Sequence, residues 1–228
     1  MATIRVTPFP SGQEAQWKIA SYSYAQYKAI TPADSNVVTL SARLSSSRQV
    51  ASIRVPVQIT LAFCPAIEKI VSTSGIAPQN IGTIIIQVQS HEGAAEILAY
   101  LEAYPTLMNH DGRISPFGKV SKKPIYTYFR IAQVAQSLGM TPIAKEAVDQ
   151  IKGALFKPGQ LSWGIAISDL NAIYRNIDDQ HWLRYHVNKS IALASINKVL
   201  RNEKELKAYI TETHSFEAQQ IQTIVERA

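Results

Sequence analysis

A chain of 228 residues is long enough for one large domain, or for one domain with an extension, and needs no metal or disulfide support for its core. Hydrophobic residues make up 46% of it and charged residues 18%, which excludes an intrinsically disordered protein. Its single cysteine, Cys64, excludes an internal disulfide, and the absence of a long apolar run predicts an intracellular protein, cytoplasmic or nuclear, with no membrane segment.

The net charge of +6 is compatible with binding to nucleic acid or to acidic proteins. A platform for single-stranded nucleic acid requires aromatic residues that alternate with the positive charges, and this chain has few of them in such positions. The densest basic group lies in one predicted loop, which is a candidate surface for an acidic protein partner, with a solvated loop as the structural alternative. Its members are Arg113, Lys119, Lys122 and Lys123.

Residues 1–34 form a predicted N-terminal arm. The run Ile4–Thr7 near its start is suited to a short β-strand. An aromatic cluster follows, and side chains of this kind either pack across a core or form a self-association surface. The cluster consists of Trp17, Tyr22, Tyr24 and Tyr27.

A polar turn separates two β-rich runs, Val37–Arg43 and Val50–Val55, and this pattern predicts a β-hairpin. Pro56 suits the first turn of a helix, because proline loses no needed hydrogen bond there. Pro65 interrupts the apolar segment that follows, so we predict two short helices that meet at Cys64 and Pro65. Residues 72–80 are a loop by composition.

A further β-rich run, Thr83–Gln89, is followed by a helical pattern over His91–Ala103, with Ser90 as the predicted cap. The segment from Leu107 to Lys123 is rich in Gly, Pro, Ser and Lys and is predicted to be a long loop. Loops of this length are usually functional or mobile.

Two closely spaced helices are predicted next. The first covers Ile125–Leu138 and ends at Gly139, and the second restarts at once with Thr141 as cap and Pro142 at its first position. An apolar stripe marks the buried side of the second helix. Beyond residue 158 only helices are predicted, and their starts are Ser168 and Asp169, Asp178 and Asp179, Asn202, and Ser215.

Four segments then follow one another in a recognisable order. Residues 57–71 carry a leucine, small residues and a proline after the hairpin, and Ile84–Tyr104 is a strand and helix that end at a tyrosine. Tyr126–Leu155 is a pair of helices. The motif that joins them, at residues 135–140, has an alanine, any two residues, a leucine, a glycine and a hydrophobic residue. Asp169–Arg184 has an Ile-Tyr pair, an acidic turn and a Leu-Arg pair. Together they resemble the BTB/POZ domain, especially the stand-alone BTB proteins of fungi.

The resemblance covers roughly residues 35–195. It implies an α/β fold of the mixed α+β kind, with a small sheet flanked by helices and followed by an all-helical extension. The implied division is an N-terminal arm at 1–34, a BTB/POZ-like domain at 35–157 and a C-terminal helical extension at 158–228. It also implies a protein–protein interaction module that often dimerises, and therefore a scaffold or adaptor whose protein partner is unknown.

No set of residues forms an obvious catalytic, cofactor or metal site. Cys64 has apolar neighbours, which favours a buried thiol over a nucleophile. His181 and His186 are five residues apart, which places them on different faces of a helix and does not match a zinc signature. We therefore expect that the protein is not an enzyme and binds no cofactor. An enzyme whose site is assembled from scattered residues is an open alternative.

We expect a homodimer, and the aromatic cluster of the N-terminal arm is the first choice for its contact. The alternative function is a nucleic-acid-associated or capsid-like assembly protein that uses its basic surface. Salt-dependent binding to nucleic acid distinguishes the two.

Overall fold

The structure is a computed structural model that describes residues 1–6, 36–44, 49–102 and 123–227. The chain forms two compact units. The first contains Met1–Lys123 and Thr127–Gln150, and the second contains Pro124–Tyr126 and Ile151–Ala228. The division into arm, BTB/POZ-like domain and extension stays a prediction.

Four strands of the described residues form one mixed sheet in the order β1-β4-β2-β3. They are β1 Ala2–Val6, β2 Val37–Leu44, β3 Gln49–Pro56 and β4 Ile81–Val88. Both β1 and β2 run parallel to β4, whereas β2 and β3 are antiparallel. The predicted strands are therefore confirmed, including the short first strand and the hairpin.

One face of the sheet is apolar because successive side chains of a strand point to opposite faces, and apolar residues occupy one of them. In the two central strands Ser41 and Ile85, which lie on the other face, are buried as well. The register places Ile4 and Leu40 on either side of Ile84, in the same row. The face is buried, and helices of the first unit pack on the sheet. Its members are Ile4, Val6, Val38, Leu40, Ala42, Ile84 and Ile86. The mixed α+β fold class is therefore confirmed: a small sheet with helices around it.

Two short helices follow the hairpin, as predicted: α1 at Val57–Phe63 and α2 at Pro65–Ser74. The second extends into the predicted loop, where the hydroxyls of Ser72 and Thr73 donate to the helix carbonyls of Glu68 and Lys69, at 2.8 and 3.0 Å. Gly75 ends it with a left-handed backbone, φ +67°. A short 3₁₀ helix at Pro78–Asn80 leads into β4.

The predicted helix after β4 is α3, His91–Glu102. Its cap is confirmed, because the amide of Gly93 donates to the Ser90 hydroxyl at 3.2 Å. Gly93 also lets α3 approach α4, Ile125–Ser137, very closely. A Cβ placed at residue 93 would lie 2.4 Å from the carbonyl oxygen of Arg130.

The end of α4 is a Schellman motif centred on Gly139, whose φ is +73°. The amide of Met140 donates to the carbonyl of Ala135 at 2.8 Å, and that of Gly139 to Gln136 at 3.0 Å. The next helix, α5, covers Thr141–Ala154. The prediction that Thr141 is its cap is wrong by one residue: the amides of Ile143 and Ala144 donate to the Met140 carbonyl.

Four further helices belong to the second unit: α6 Ile167–Asn176, α7 Trp182–Ile196, α8 Glu203–Thr213 and α9 Ser215–Glu226. Within the described residues the chain thus has nine α-helices. The expectation of helices alone is wrong in one detail, since Trp163 and Leu200 form an isolated parallel bridge.

Two predicted helix starts also have different caps. The side chain of His181, rather than that of Asp178 or Asp179, accepts the amide of Leu183 at the start of α7, at 3.2 Å. Asp169 lies in the first turn of α6, but its carboxylate accepts the amides of residues 125 and 126 at 2.8 and 2.9 Å. It therefore satisfies the first amides of α4 from a distant position in sequence.

Candidate functional site

Of the residues predicted to form interaction surfaces, Lys123 lies in the described part of the chain. Its ammonium Nζ is 2.6 Å from Glu96 Oε1 on α3, and its amide donates to the Tyr128 hydroxyl at 3.3 Å. The charge of Lys123 is therefore directed towards its own unit. The other predicted residues lie outside the described ranges: Trp17, Tyr22, Tyr24, Tyr27, Arg113, Lys119 and Lys122.

Cys64 is fully buried between α1 and α2, as predicted. Burial raises the pKa of its thiol to about 12, so the thiol is protonated near neutral pH. Its Sγ lies 3.8 Å from the thioether sulfur of Met140. A buried, protonated thiol beside another sulfur is a packing residue.

A cleft of about 310 Å³ opens beside α2 in the first unit. Glu68 is the one ionisable side chain among its described lining residues, which are otherwise mostly apolar, such as Leu61, Val71 and Ile76. One carboxylate supplies no acid–base pair. Across the described ranges, no group of three or more His, Cys, Asp or Glu side chains is placed to hold a metal ion.

The most distinctive exposed surface of the second unit is on α7. We call it the α7 aromatic face: Trp182, Tyr185, His186 and Lys189, at positions i, i+3, i+4 and i+7 of one helix. All four are exposed, with Trp182 at 36% and Tyr185 at 45% of their surface. The ring of His186 is 6.0 Å from that of Trp182 and 5.4 Å from that of Tyr185.

The opposite side of α7 explains why these aromatic rings are exposed. Leu183, Val187 and Ile191 are fully buried and take up the core-facing stripe of the helix. His181 adds a further ring at the helix start, 5.6 Å from Trp182, and burial lowers the pKa of its imidazole, with Asp178 opposing the shift. The α7 aromatic face could be predicted from the sequence, because the apolar stripe of α7 leaves Trp182, Tyr185 and His186 on the opposite side of the helix.

A buried polar network lies behind this face. Arg184 is 5% exposed, and its Nη1 donates to the carbonyls of Tyr174 and Ile177 at 3.1 and 2.7 Å. The same nitrogen lies 2.5 Å from Asp179, and Nη2 pairs with the buried carboxylate of Glu217. Since these contacts join α7 to the end of α6 and to α9, they fix the orientation of α7 within its unit.

The network continues through Tyr174, whose ring lies under the Arg184 guanidinium at 5.3 Å and whose hydroxyl donates to Asn188. The imidazole of His214 packs edge-on against the rings of Tyr174 and Tyr209, with centroids 4.8 and 5.5 Å apart. Burial lowers the pKa of His214, and the neighbouring positive charges of Arg184 and Arg175 lower it further. These groups contact one another, which makes them a structural network.

Comparison of the chain with protein-family models, with curated proteins and with solved structures finds no match. Among the helices of the described residues, none combines the length and the apolar character that crossing a bilayer requires.

Proposed function

We propose that the protein is a non-enzymatic protein–protein interaction module that acts as a scaffold or adaptor and works as a homodimer. The observation that supports this is the α7 aromatic face, with Trp182 and Tyr185 side by side in solvent. Tryptophan and tyrosine are enriched at the centres of protein interfaces, where they carry a large share of the binding energy.

The surroundings of the face suit it to binding. The ring contacts of His186 with Trp182 and Tyr185 restrict the side chains before any partner arrives, so little side-chain entropy is lost on association. The buried contacts of Arg184 hold the helix itself in place. A pre-organised aromatic surface on a rigid helix is a suitable dimer contact.

A module that holds partners together needs more than one surface. The aromatic cluster of the N-terminal arm, from Trp17 to Tyr27, is the second surface of the proposal. It stays a prediction from the sequence, as does the resemblance to stand-alone BTB proteins that implies dimerisation.

Light scattering or sedimentation across a wide concentration range tests the proposal. We expect wild type to dimerise and Trp182→Ala with Tyr185→Ala to weaken the dimer by at least about tenfold, since aromatic anchors contribute at least about 1–2 kcal/mol each. The matched control is Leu161→Ala with Phe216→Ala, which removes exposed apolar side chains elsewhere in the same unit. A wild-type protein that stays monomeric at every concentration contradicts the proposal.

The arm is tested in parallel by replacing its four aromatic residues with alanine. Loss of the dimer in the arm variant with no change in the α7 variant would assign the contact to the arm and contradict the role of α7. Thermal unfolding of each variant separates loss of association from loss of folding.

A further inference from the structure

The exposed side of α7 continues beyond the α7 aromatic face to the end of the helix. Leu193 is half-buried and Ile196 is 40% exposed, and both follow the helical period of Trp182 and Lys189. Successive members of the set are four and three residues apart in alternation, which is the spacing of a seam between two packed helices. We call this set the α7 seam: Trp182, His186, Lys189, Leu193 and Ile196.

The core of the second unit does not use the α7 seam. Leu183, Val187 and Ile191 occupy the opposite side of the helix and are fully buried. The seam extends from the first residue of α7 to the last, over about 20 Å. It is aromatic at its start, aliphatic at its end and polar in the middle, so a helix that packs along it must match each part.

The two ends of α7 carry exposed charges of opposite sign. Asp178 precedes the helix and accepts the amide of Gln180, and Lys198 follows the helix. Within the described part of the chain, neither Asp178 nor Lys198 has an ion-pair partner. Burial lowers the pKa of His181 and Asp178 opposes that shift, and the ring of His181 is 5.6 Å from that of Trp182. The negative charge therefore lies close to the first residue of the α7 seam.

Lys198 occupies a position where glycine is usual. Its φ is +57°, and its amide donates to the carbonyl of Ser195 at 2.9 Å, so it is the left-handed residue that ends α7. Any side chain larger than that of glycine is strained in this conformation. Backbone strain of this kind is concentrated at functional sites, which makes the ammonium group of Lys198 a candidate for a contact with a partner.

These charges determine how a second copy of the chain fits the α7 seam. In a parallel pair each residue faces its own counterpart, so Lys189, Asp178 and Lys198 would each meet a like charge. In an antiparallel pair the acidic start of one helix lies beside the basic end of the other. Like charges that face each other disfavour association, whereas opposite charges and antiparallel helix dipoles favour it. The charges are therefore complementary in the antiparallel orientation.

We propose that two copies of the chain pack α7 against α7 in antiparallel orientation, with the two-fold axis between His186 and Lys189. Trp182 of each copy then packs on the aliphatic end of the other copy's seam. Asp178 of each copy pairs with Lys198 of the other, because the two residues are almost equally far from the axis in sequence. This arrangement rests on the proposed function, and it adds the orientation of the dimer and the charged pairs that select a second copy as the partner.

Disulfide cross-linking of the full chain tests the orientation. Cys64 is the one native cysteine and is fully buried, so an introduced thiol is the reactive one. We expect a mixture of the variants Asp178→Cys and Lys198→Cys to form a mixed disulfide dimer on mild oxidation, and neither variant to cross-link with itself. A disulfide requires two Cα atoms within about 7 Å of each other, so it reports which ends lie side by side.

Charge reversal tests the pairing, with sedimentation at low salt as the measurement. Asp178→Lys and Lys198→Asp each place two pairs of like charges in the dimer, so we expect either variant to dimerise about tenfold more weakly. The double variant, Asp178→Lys with Lys198→Asp, restores opposite charges and should regain most of the wild-type affinity. The matched controls are Glu212→Lys and Lys204→Asp, which reverse exposed charges on α8 and should leave the dimer unchanged.

The variant Lys198→Gly separates the charged pair from folding. Glycine relieves the left-handed backbone, so the midpoint of thermal unfolding should rise when it is measured at a concentration where the protein is monomeric. The same variant removes both ion pairs of the dimer, so dimerisation should weaken by about threefold. A purely structural role for Lys198 would not produce these two opposite effects.

Three results would overturn the arrangement and leave the proposed function intact. They are a wild-type dimer whose mixed cysteine variants do not cross-link, cross-linking of Asp178→Cys with itself, and a double charge variant that dimerises as weakly as the single variants. The second result would assign the dimer to the parallel orientation. A wild-type protein that stays monomeric at every concentration contradicts the proposed function, and the arrangement with it.

Discussion

The cores of the two units are built from different chemistry. In the first unit the largest fully buried side chains are apolar, such as Leu40, Phe63 and Ile97. In the second unit the buried set includes Arg184 and Glu217, which are 5% and 2% exposed. An apolar core tolerates small changes of shape, whereas a buried ion pair depends on both partners being present. We therefore expect different kinds of substitution to lower the free energy of unfolding of the two units.

The largest effect is expected from breaking the buried ion pair. Arg184→Met leaves the carboxylate of Glu217 buried without its partner and removes two hydrogen bonds to helix-end carbonyls. We expect the free energy of unfolding of the second unit to fall by about 3–5 kcal/mol, as for other buried pairs that lose one member. Denaturant unfolding, followed by the fluorescence of Trp163 and Trp182, measures the loss.

The double variant Arg184→Met with Glu217→Leu sharpens this test, because it removes both charges together. It should recover a substantial part of the loss. The exposed pair Lys207 and Glu203 on α8 is the control, and its removal by Lys207→Gln should cost less than about 0.5 kcal/mol. A double variant as unstable as Arg184→Met alone would show that the carbonyl contacts of Arg184 matter more than its pairing.

The first unit has its own sensitive point, where two helices meet at Gly93. Alanine favours a helix interior by about 1 kcal/mol, but here its Cβ would lie 2.4 Å from the Arg130 carbonyl oxygen. The helices must separate to make room, so we expect Gly93→Ala to destabilise the unit by about 1–3 kcal/mol.

Gly153 provides the matched control for this prediction. It lies near the end of α5, and a Cβ there meets no atom within 4 Å. Gly153→Ala should be neutral or should stabilise the protein by up to about 1 kcal/mol. Thermal unfolding of the two variants side by side tests the contact, since equal effects would mean that helix propensity alone decides both.

The same contrast explains how much of the molecule the sequence predicts. Strand alternation, the break at Pro65 and the stop at Gly139 are local signals, and they predict the first unit's elements well. The Asp169 contact with the start of α4 joins positions more than forty residues apart. A local sequence pattern contains no information on such a contact, so the sequence predicts Asp169 only at the start of its own helix, where it also lies.

The candidate surface on α7 shows how far a local pattern can predict a site. The α7 aromatic face follows from helical periodicity once Leu183 and Val187 are placed inside. The placement of Arg5 and Arg54 on one side of the sheet needs the strand order, because these residues come from strands that are not neighbours in the sheet.

The smallest effect on stability is expected from a change of pH, and it should affect the two units differently. His181 and His214 both belong to the second unit, and burial lowers the pKa of each. An imidazole with a lowered pKa binds fewer protons in the folded protein than in the unfolded chain. Its contribution to stability is therefore complete above the unfolded pKa of about 6.5 and is lost as the pH falls towards the folded value.

We therefore expect the second unit to lose stability between about pH 7 and pH 5, and the variant His181→Asn with His214→Asn to lose less over the same range. Replacing the exposed His91 by asparagine is the control, because it removes an imidazole from the first unit. The midpoint of denaturant unfolding at each pH is the measurement. A pH dependence that the double variant retains in full would mean that protonation of these two imidazoles does not limit the stability of the unit.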